Sequence, residues 1–369
     1  MIMVDTVKLY LGSEKFTLLE NSEPGNLTTK SGISRIVRNP SRNELRAGMY
    51  LPRLTFTRRP TRIGMRQSLT VEFSAPKLLY GNNFDELTDE DFELVIDKLA
   101  SSLRYLGVVV SNENLRTAKV VCWHPSKNIV LDSPLGCQVV INTLRKSDYT
   151  RFYSIQKTNF QDGEVLHFHC NSKDIAFYDK LADLRQAKKS DKKSREVDSQ
   201  LQVCILDDIG QVNDFSVLRY EVRMNSVRAL QHNFRDIGKE DLVFSKLFDV
   251  ELSRQLLVKH WEVFSSQMNH LSLDVNMPLE IFQNYLDENR DATPQSALAA
   301  VAGLYIANQE STMALRNTLD KRFGKHYWPK LKPKMKTIKG RRYSYVSEVT
   351  SSLNEFQPTR LDMLAKSIA

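Results

Sequence analysis

Six polar side chains lie within or beside apolar strand-like runs, and their types define what the chain could do chemically. They are Glu72 in VEFSAPKLLYG, His124 in CWHPSKNI, His167 and His169 in LHFHCN, Tyr178 in IAFYDK and Glu221 in LRYEVR. Alternation along a strand puts His167 and His169 on one face, where they could reach a single metal ion, and turns Phe168 toward the core. A carboxylate in the middle of an apolar strand either faces solvent or needs a cation or metal beside it. Glu221 has Arg219 and Arg223 two positions away on its own face, whereas Glu72 has no cation as close in sequence and is the stronger metal candidate. Tyr178, with a phenol of pKa about 10, could act as a nucleophile on a phosphodiester once a metal or base activates it, with Lys180 or Lys173 offsetting the developing charge. The plainer reading keeps the Tyr178 ring in the core with its hydroxyl outward, and makes the two histidines a chance pair.

Other chemistries have no local support. The sequence has no glycine-rich phosphate loop, no nucleophile elbow and no HExxH helix. Its four cysteines, Cys122, Cys137, Cys170 and Cys204, form no CxxC pair, so a zinc knuckle or a disulfide framework is not expected and reduced thiols are. No run is long and apolar enough to span a bilayer, and the N-terminal residues lack the basic flank, apolar core and cleavage site of a secretion signal. The expectation is a cytoplasmic protein without membrane association.

The net charge of +8 is unevenly placed. Residues 321–342 hold ten cations and no acid, and residues 35–66 hold nine arginines and one acid, Glu44. Clustered cations of this kind displace the counterions condensed on a polyanion, so nucleic acid is the expected partner, bound with a steep dependence on salt. The C-terminal cluster is interleaved with His326, Tyr327, Trp328 and Tyr343, which could stack on unpaired bases. A solvated basic tail is the alternative.

Several elements must position these residues. VKLYL alternates as a strand, and RLTFT and SLTVEFS form a hairpin around the turn TRIG. Thr88 and Asp91 have capping-box spacing before the amphipathic run DFELVIDKLASSLRYL. AKVVCW, EVLHFHC, IAFY, QLQVCIL and VLRYEVRMN read as further strands, and the segment from Lys180 to Asp198 as a polar helix. From about residue 237 the pattern is helical. The resulting fold class is α+β: a mainly antiparallel sheet over residues 1–236, a helical domain over 237–324 and a basic C-terminal segment over 325–369.

In order and approximate spacing, VEFSAPKLLYG after an arginine-rich hairpin, KVVCWHPSKNI, HCNSKDIAFYDK and LRYEVRMN resemble the signatures of rolling-circle replication initiators of small plasmids (the trans-acting Rep type). The resemblance covers residues 54 to about 228 and extends, more distantly, to the replication endonuclease of filamentous phages. It implies a nickase-like nuclease domain in which Tyr178 is the nicking nucleophile. Glu72 and Glu221 would lie at or near the active site, and His124 near a position that plasmid members give to an aspartate. The Gly-Ser-Arg of plasmid members is replaced here by HCNSKD, so His169, Asn171 and Lys173 would take over its contacts. A His-hydrophobic-His strand is also the ligand pattern of many single-strand DNA nickases. The implied cofactor is Mg²⁺ or Mn²⁺, held by Glu72, His124 and His169 with His167 or Glu221 assisting.

The implied substrate is an origin, as duplex and as single strand. Arg53, Arg58, Arg59, Arg62 and Arg66 would grip phosphates with Lys127 and Asn171, while Lys332, Lys334, Lys336, Arg341 and Arg342 would hold duplex or displaced strand. A host helicase and polymerase would be partners, and a homodimer is compatible with this reading. Two other classes also fit the basic segments: a DNA-binding plasmid initiator or copy-control repressor without catalysis, and an RNA-binding protein.

Overall fold

The computed structural model describes residues 4–19, 32–41, 43–44, 49–62, 64–161, 163–189, 215–235, 242–268, 278–338 and 345–361. Eleven strands are present among them: β1 (Val4–Gly12), β2 (Thr17–Leu18), β3 (Ser34–Arg38), β4 (Arg53–Thr61), β5 (Gly64–Ser74), β6 (Val108–Val109), β7 (Lys119–Leu131), β8 (Ile155–Gln161), β9 (Val165–Cys170), β10 (Asp174–Asp179) and β11 (Ser216–Arg223). Nine of them make one sheet in the order β3-β4-β5-β1-β7-β11-β10-β9-β8, antiparallel throughout. β2 and β6 pair separately. The fold is therefore mixed α/β with a large antiparallel sheet.

The two faces of the sheet differ as strict alternation requires. On one face, Val7, Leu9, Val71 and Trp123 continue into Ile129, Leu218, Tyr220, Phe177 and Phe168, all buried. Helices cover this face. Phe92–Tyr105 buries Val95, Ile96, Leu99 and Leu103 against the β1 half, and Val250–Met268 buries Leu257, Trp261 and Phe264 against the β11 half. The expected Thr88 capping box forms, with Asp91 Oδ2 accepting from Thr88 N at 2.6 Å and from Thr88 Oγ1 at 2.9 Å. The opposite face carries the charged and polar alternates, and most of the candidate residues project from it.

Three expectations are revised. Val250–Met268 belongs to the core of the sheet, and so does Tyr345–Glu355, whose Val349 and Leu353 pack in the same cluster. Burial of apolar stripes thus crosses the expected boundaries at 237 and 325. Pro278–Glu288, Pro294–Gln309, Thr312–Phe323 and Trp328–Lys336 pack mainly on one another in two smaller clusters. Within 325–369 the described residues include the helices Trp328–Lys336 and Tyr345–Glu355, and Trp328 is a core residue rather than a base-stacking one, while His326 and Tyr327 stay exposed. The expected strand QLQVCIL, with Cys204, lies outside the described residues, as do Tyr343, Arg341 and Arg342. No helix among the described residues is long and apolar enough to cross a membrane.

Candidate functional site

The site is assembled by strand register. Glu221 on β11 faces Ala176 on β10, and Ala176 faces His167 on β9. One row toward the N-terminal end of β10, Arg223, Asp174 and His169 align; toward its C-terminal end, Asn128 of β7 pairs with Arg219, and Arg219 with Tyr178. Side chains two apart on neighbouring strands are within reach of each other. A phenol, two imidazoles, two carboxylates and two guanidiniums therefore share one patch.

Tyr178 Oη donates to Glu221 Oε1 at 2.7 Å. The same oxygen lies 3.1 Å from Arg219 Nε, and Glu221 Oε2 lies 2.7 Å from Arg223 Nε. Arg219 also places Nη2 at 3.3 Å from Asp5 Oδ2. Burial alone would raise the Glu221 acid, but Arg223 and Arg219 outweigh it and hold the carboxyl well below its usual range. Tyr178 is driven the other way, well above the usual phenol value, first by burial and then by the Glu221 charge. In this arrangement the phenol is protonated and the carboxylate ionised. Lys180 is fully buried behind the ring, its Nζ 3.3 Å from Asp183 and 5.9 Å from the Tyr178 ring centre.

Beside this pair is a donor set suited to a metal ion. Ligand atoms of His167, His169 and Asp174 all lie within 4.8 Å of one another. The imidazole centroids are 3.9 Å apart, and Asp174 Oδ1 is 3.4 Å from His169 Nδ1. His167 Nε2 is buried without a hydrogen-bond partner, which is costly for a ring nitrogen unless a ligand completes it. Burial, then Arg223 and His169, press the His167 pKa down to about 4, so the ring is neutral, as ligation requires. Asn159 Nδ2 lies 3.1 Å from His169 Nε2, and Asn225 Nδ2 donates to Asp174 Oδ2 at 3.1 Å. Two imidazoles with one carboxylate suit Mn²⁺ better than Mg²⁺.

Two ligand expectations are corrected here. Glu72 is not adjacent to the patch: it stands on β5, four strand steps from β10, on the order of 19 Å at the usual strand spacing. It also has the cations that its sequence neighbourhood lacked, Lys8 at 3.1 Å and Arg53 at 3.9 Å, both brought by cross-strand register. Among the described residues His124 is linked to the donor set through Asn225, whose Oδ1 is 2.7 Å from His124 Nε2. Cys122 Sγ lies 3.2 Å from the same nitrogen. Burial lowers the His124 pKa, with Arg223 adding to the effect against Glu221 and Asn225. Asp174 was not anticipated; its place directly across from His169 would have been the signal had the β9–β10 hairpin register been known.

Lys173 is likewise committed elsewhere. Its Nζ donates to Asn233 Oδ1 at 2.7 Å and lies 3.2 Å from His260 Nε2, whose Nδ1 is 3.0 Å from the Tyr153 hydroxyl. Burial, then Lys173 and Lys259, drive the His260 pKa well below its usual value. Below about pH 6.5 the unfolded chain binds a proton at this residue that the folded one does not, so stability there rises with pH. We expect His260→Gln to flatten that slope, by at most about 1.4 kcal/mol per pH unit, in urea unfolding at a series of pH values. An unchanged slope would remove His260 from the acid limb.

The cationic residues divide. Lys8, Arg35, Arg53, Arg59 and Arg66, with Tyr10 and Glu72, line a trough of about 640 Å³ on the polar face of β3, β4, β5 and β1. Arg62 is exposed at the β4–β5 turn, but Arg58 points to the other face, beside Phe16 and Phe56. Arg35 belongs to the expected arginine cluster of residues 35–66, whereas Lys8 was not anticipated; it enters the trough because β1 flanks the hairpin. Asn171 is exposed in the β9–β10 turn. Lys127 is corrected: it is 1% exposed and its Nζ lies 2.9 Å from Glu86 Oε2, so it has no free face for a phosphate. Lys332, Lys334 and Lys336 bond to Gln267, Ser296 and the Ser266 carbonyl at 2.9, 2.7 and 3.4 Å, which ties this cationic helix to its neighbours.

Comparison with protein-family models, with curated proteins and with solved structures finds no match for this chain.

Proposed function

We propose that the chain is a replication initiator that nicks and rejoins one DNA strand at an origin. The observation that carries this reading is the Tyr178 hydroxyl at 2.7 Å from an arginine-held carboxylate, on the sheet face that also bears the His167, His169 and Asp174 set. The cation-lined trough on the same face gives a polyanion a path toward the phenol.

In this reading Glu221 aims the phenol, and Arg219 and Arg223 both fix that carboxylate and place positive charge where phosphate oxygens would gather. Tyr178 Oη attacks phosphorus, and the bond from phosphorus to the 3′ oxygen breaks. The strand is left with a 3′-hydroxyl, and its 5′ phosphate is joined to the tyrosine. A 3′-hydroxyl attacking the phosphotyrosine reverses the step without a nucleotide cofactor. His167, His169 and Asp174 would hold the divalent ion, which supplies Lewis-acid polarisation of the scissile phosphate and lowers the cost of forming phenolate.

The test is a nicking assay on supercoiled DNA of the replicon that carries the gene, with Mn²⁺ or Mg²⁺. The wild-type protein should yield open circles with protein attached to a 5′ end, and Tyr178→Phe should yield neither. An adduct formed by Tyr178→Phe would overturn the assignment. The raised phenol pKa favours a second reading, a DNA-binding initiator or copy-control repressor without catalysis; origin gel shift without nicking that EDTA abolishes would select it.

A further inference from the structure

Val4, the first described residue of β1, lies opposite Pro125, so among the described residues β7 from Ser126 onward pairs with β11 on one side and with no strand on the other. An open edge of this kind exposes unpaired backbone groups that something must cover. Two distant segments cover it, the turn Asn82–Glu86 and the stretch Gln357–Leu361. Glu86 is the joint between them. Its Oε1 accepts from Asn128 N at 2.5 Å, and its Oε2 accepts from Thr359 N at 2.8 Å and from Lys127 Nζ at 2.9 Å. Glu86 N donates to Thr359 O at 3.2 Å, and Thr359 Oγ1 donates to Asn128 O at 2.9 Å.

Asn128 passes this edge across the strand. Its Nδ2 donates to Phe84 O at 2.7 Å, while its Oδ1 accepts from Arg219 Nη1 at 3.0 Å. Arg219 in turn lies at 3.1 Å from the Glu221 oxygen that accepts from Tyr178. Glu86, Lys127, Asn128, Arg219 and Glu221 are all buried. The links are shared, since Lys127 Nζ also donates to Asn128 O at 2.6 Å and Arg219 Nη1 to Asn83 O at 3.4 Å, so the loss of one contact shifts the balance of a buried network.

We propose that Asn128 is a positioning residue for Tyr178 and that Gln357–Leu361 is the clamp that sets it, so that the aim of the phenol depends on a segment remote from it in the chain. The inference rests on the nicking activity proposed above. Thr359→Val keeps the shape of the side chain and removes its hydroxyl, Thr359→Ser keeps the hydroxyl, and Asn128→Ala removes both side-chain links to Phe84 and Arg219. In single-turnover nicking of origin DNA, Thr359→Val should slow the step by about tenfold and Asn128→Ala by more, with KM for DNA unchanged and Thr359→Ser near wild type.

A second readout does not use activity. The Arg219 Nε–H resonance, assigned with Arg219→Lys, should shift in Thr359→Val while that of Arg223 stays in place. If the wild-type protein fails to nick, the proposed function falls and this resonance alone judges the clamp. Wild-type nicking rates in both Thr359→Val and Asn128→Ala, a loss confined to KM, or an unmoved Arg219 resonance would overturn the proposal. Should Asn128→Ala not fold, Thr359→Val carries the test.

Discussion

Glu221→Gln is expected to lower the unfolding free energy by about 3–5 kcal/mol, because it strips the charge from between two guanidiniums. Glu221 is 2% exposed, and both of its oxygens are in use: Oε1 by Tyr178 and Arg219, Oε2 by Arg223. Asp5 at 3.3 Å offsets part of the Arg219 charge, and Arg223 keeps about a third of its side chain accessible, at 30%, so the lower half of that range is favoured. Urea unfolding at neutral pH measures the effect; a loss below about 1 kcal/mol would mean that the arginines find other partners. The sign of the pH dependence follows from the depressed acid. The stabilisation is fully present above the unfolded carboxyl pKa of about 4.3 and is lost only as pH falls through the lower folded value, so the gap between wild type and Glu221→Gln should narrow in strong acid.

The second large effect concerns the metal. Wild-type protein should take up one Mn²⁺ in calorimetric titration, and His169→Ala or Asp174→Ala should weaken that binding at least about a hundredfold, since outer-shell losses alone reach 10- to 100-fold. Asn159→Ala, which removes only the group 3.1 Å from His169 Nε2, should fall in that smaller range. Glu72→Ala should leave the titration unchanged, because Lys8 and Arg53 already neutralise that carboxylate four strands away. Loss of Mn²⁺ in Glu72→Ala with retention in His169→Ala would place the ion elsewhere.

What the sequence could reveal of this site was set by the range of each signal. Alternation is local, so Phe168 inward with His167 and His169 together on the other face follows directly from LHFHCN, and so does the pairing of Glu221 with Arg219 and Arg223. The Thr88 capping box is equally local, as is the hairpin around Thr61–Gly64. Register between distant strands is not local. Nothing in VEFSAPK shows that β1 will bring Lys8 beside Glu72, or that β7 will separate Glu72 from Tyr178. Lys127 looked like a surface cation because its burial depends on Glu86 and Thr359, far away in both directions. The helix Val250–Met268 carries an apolar stripe that fits a helical domain and a sheet cover equally well; only the tertiary packing decides.

The order in which a ribosome delivers these pieces adds a last point. β1 emerges early yet needs β7 as a neighbour, β7 needs β11, and the exposed flank of β7 is capped by Thr359. Such long sequence separations make for slow, late assembly. Under the proposed reading, a polypeptide synthesised only as far as the helix Trp328–Lys336 would carry Tyr178 but not the Thr359 contacts at the flank of β7.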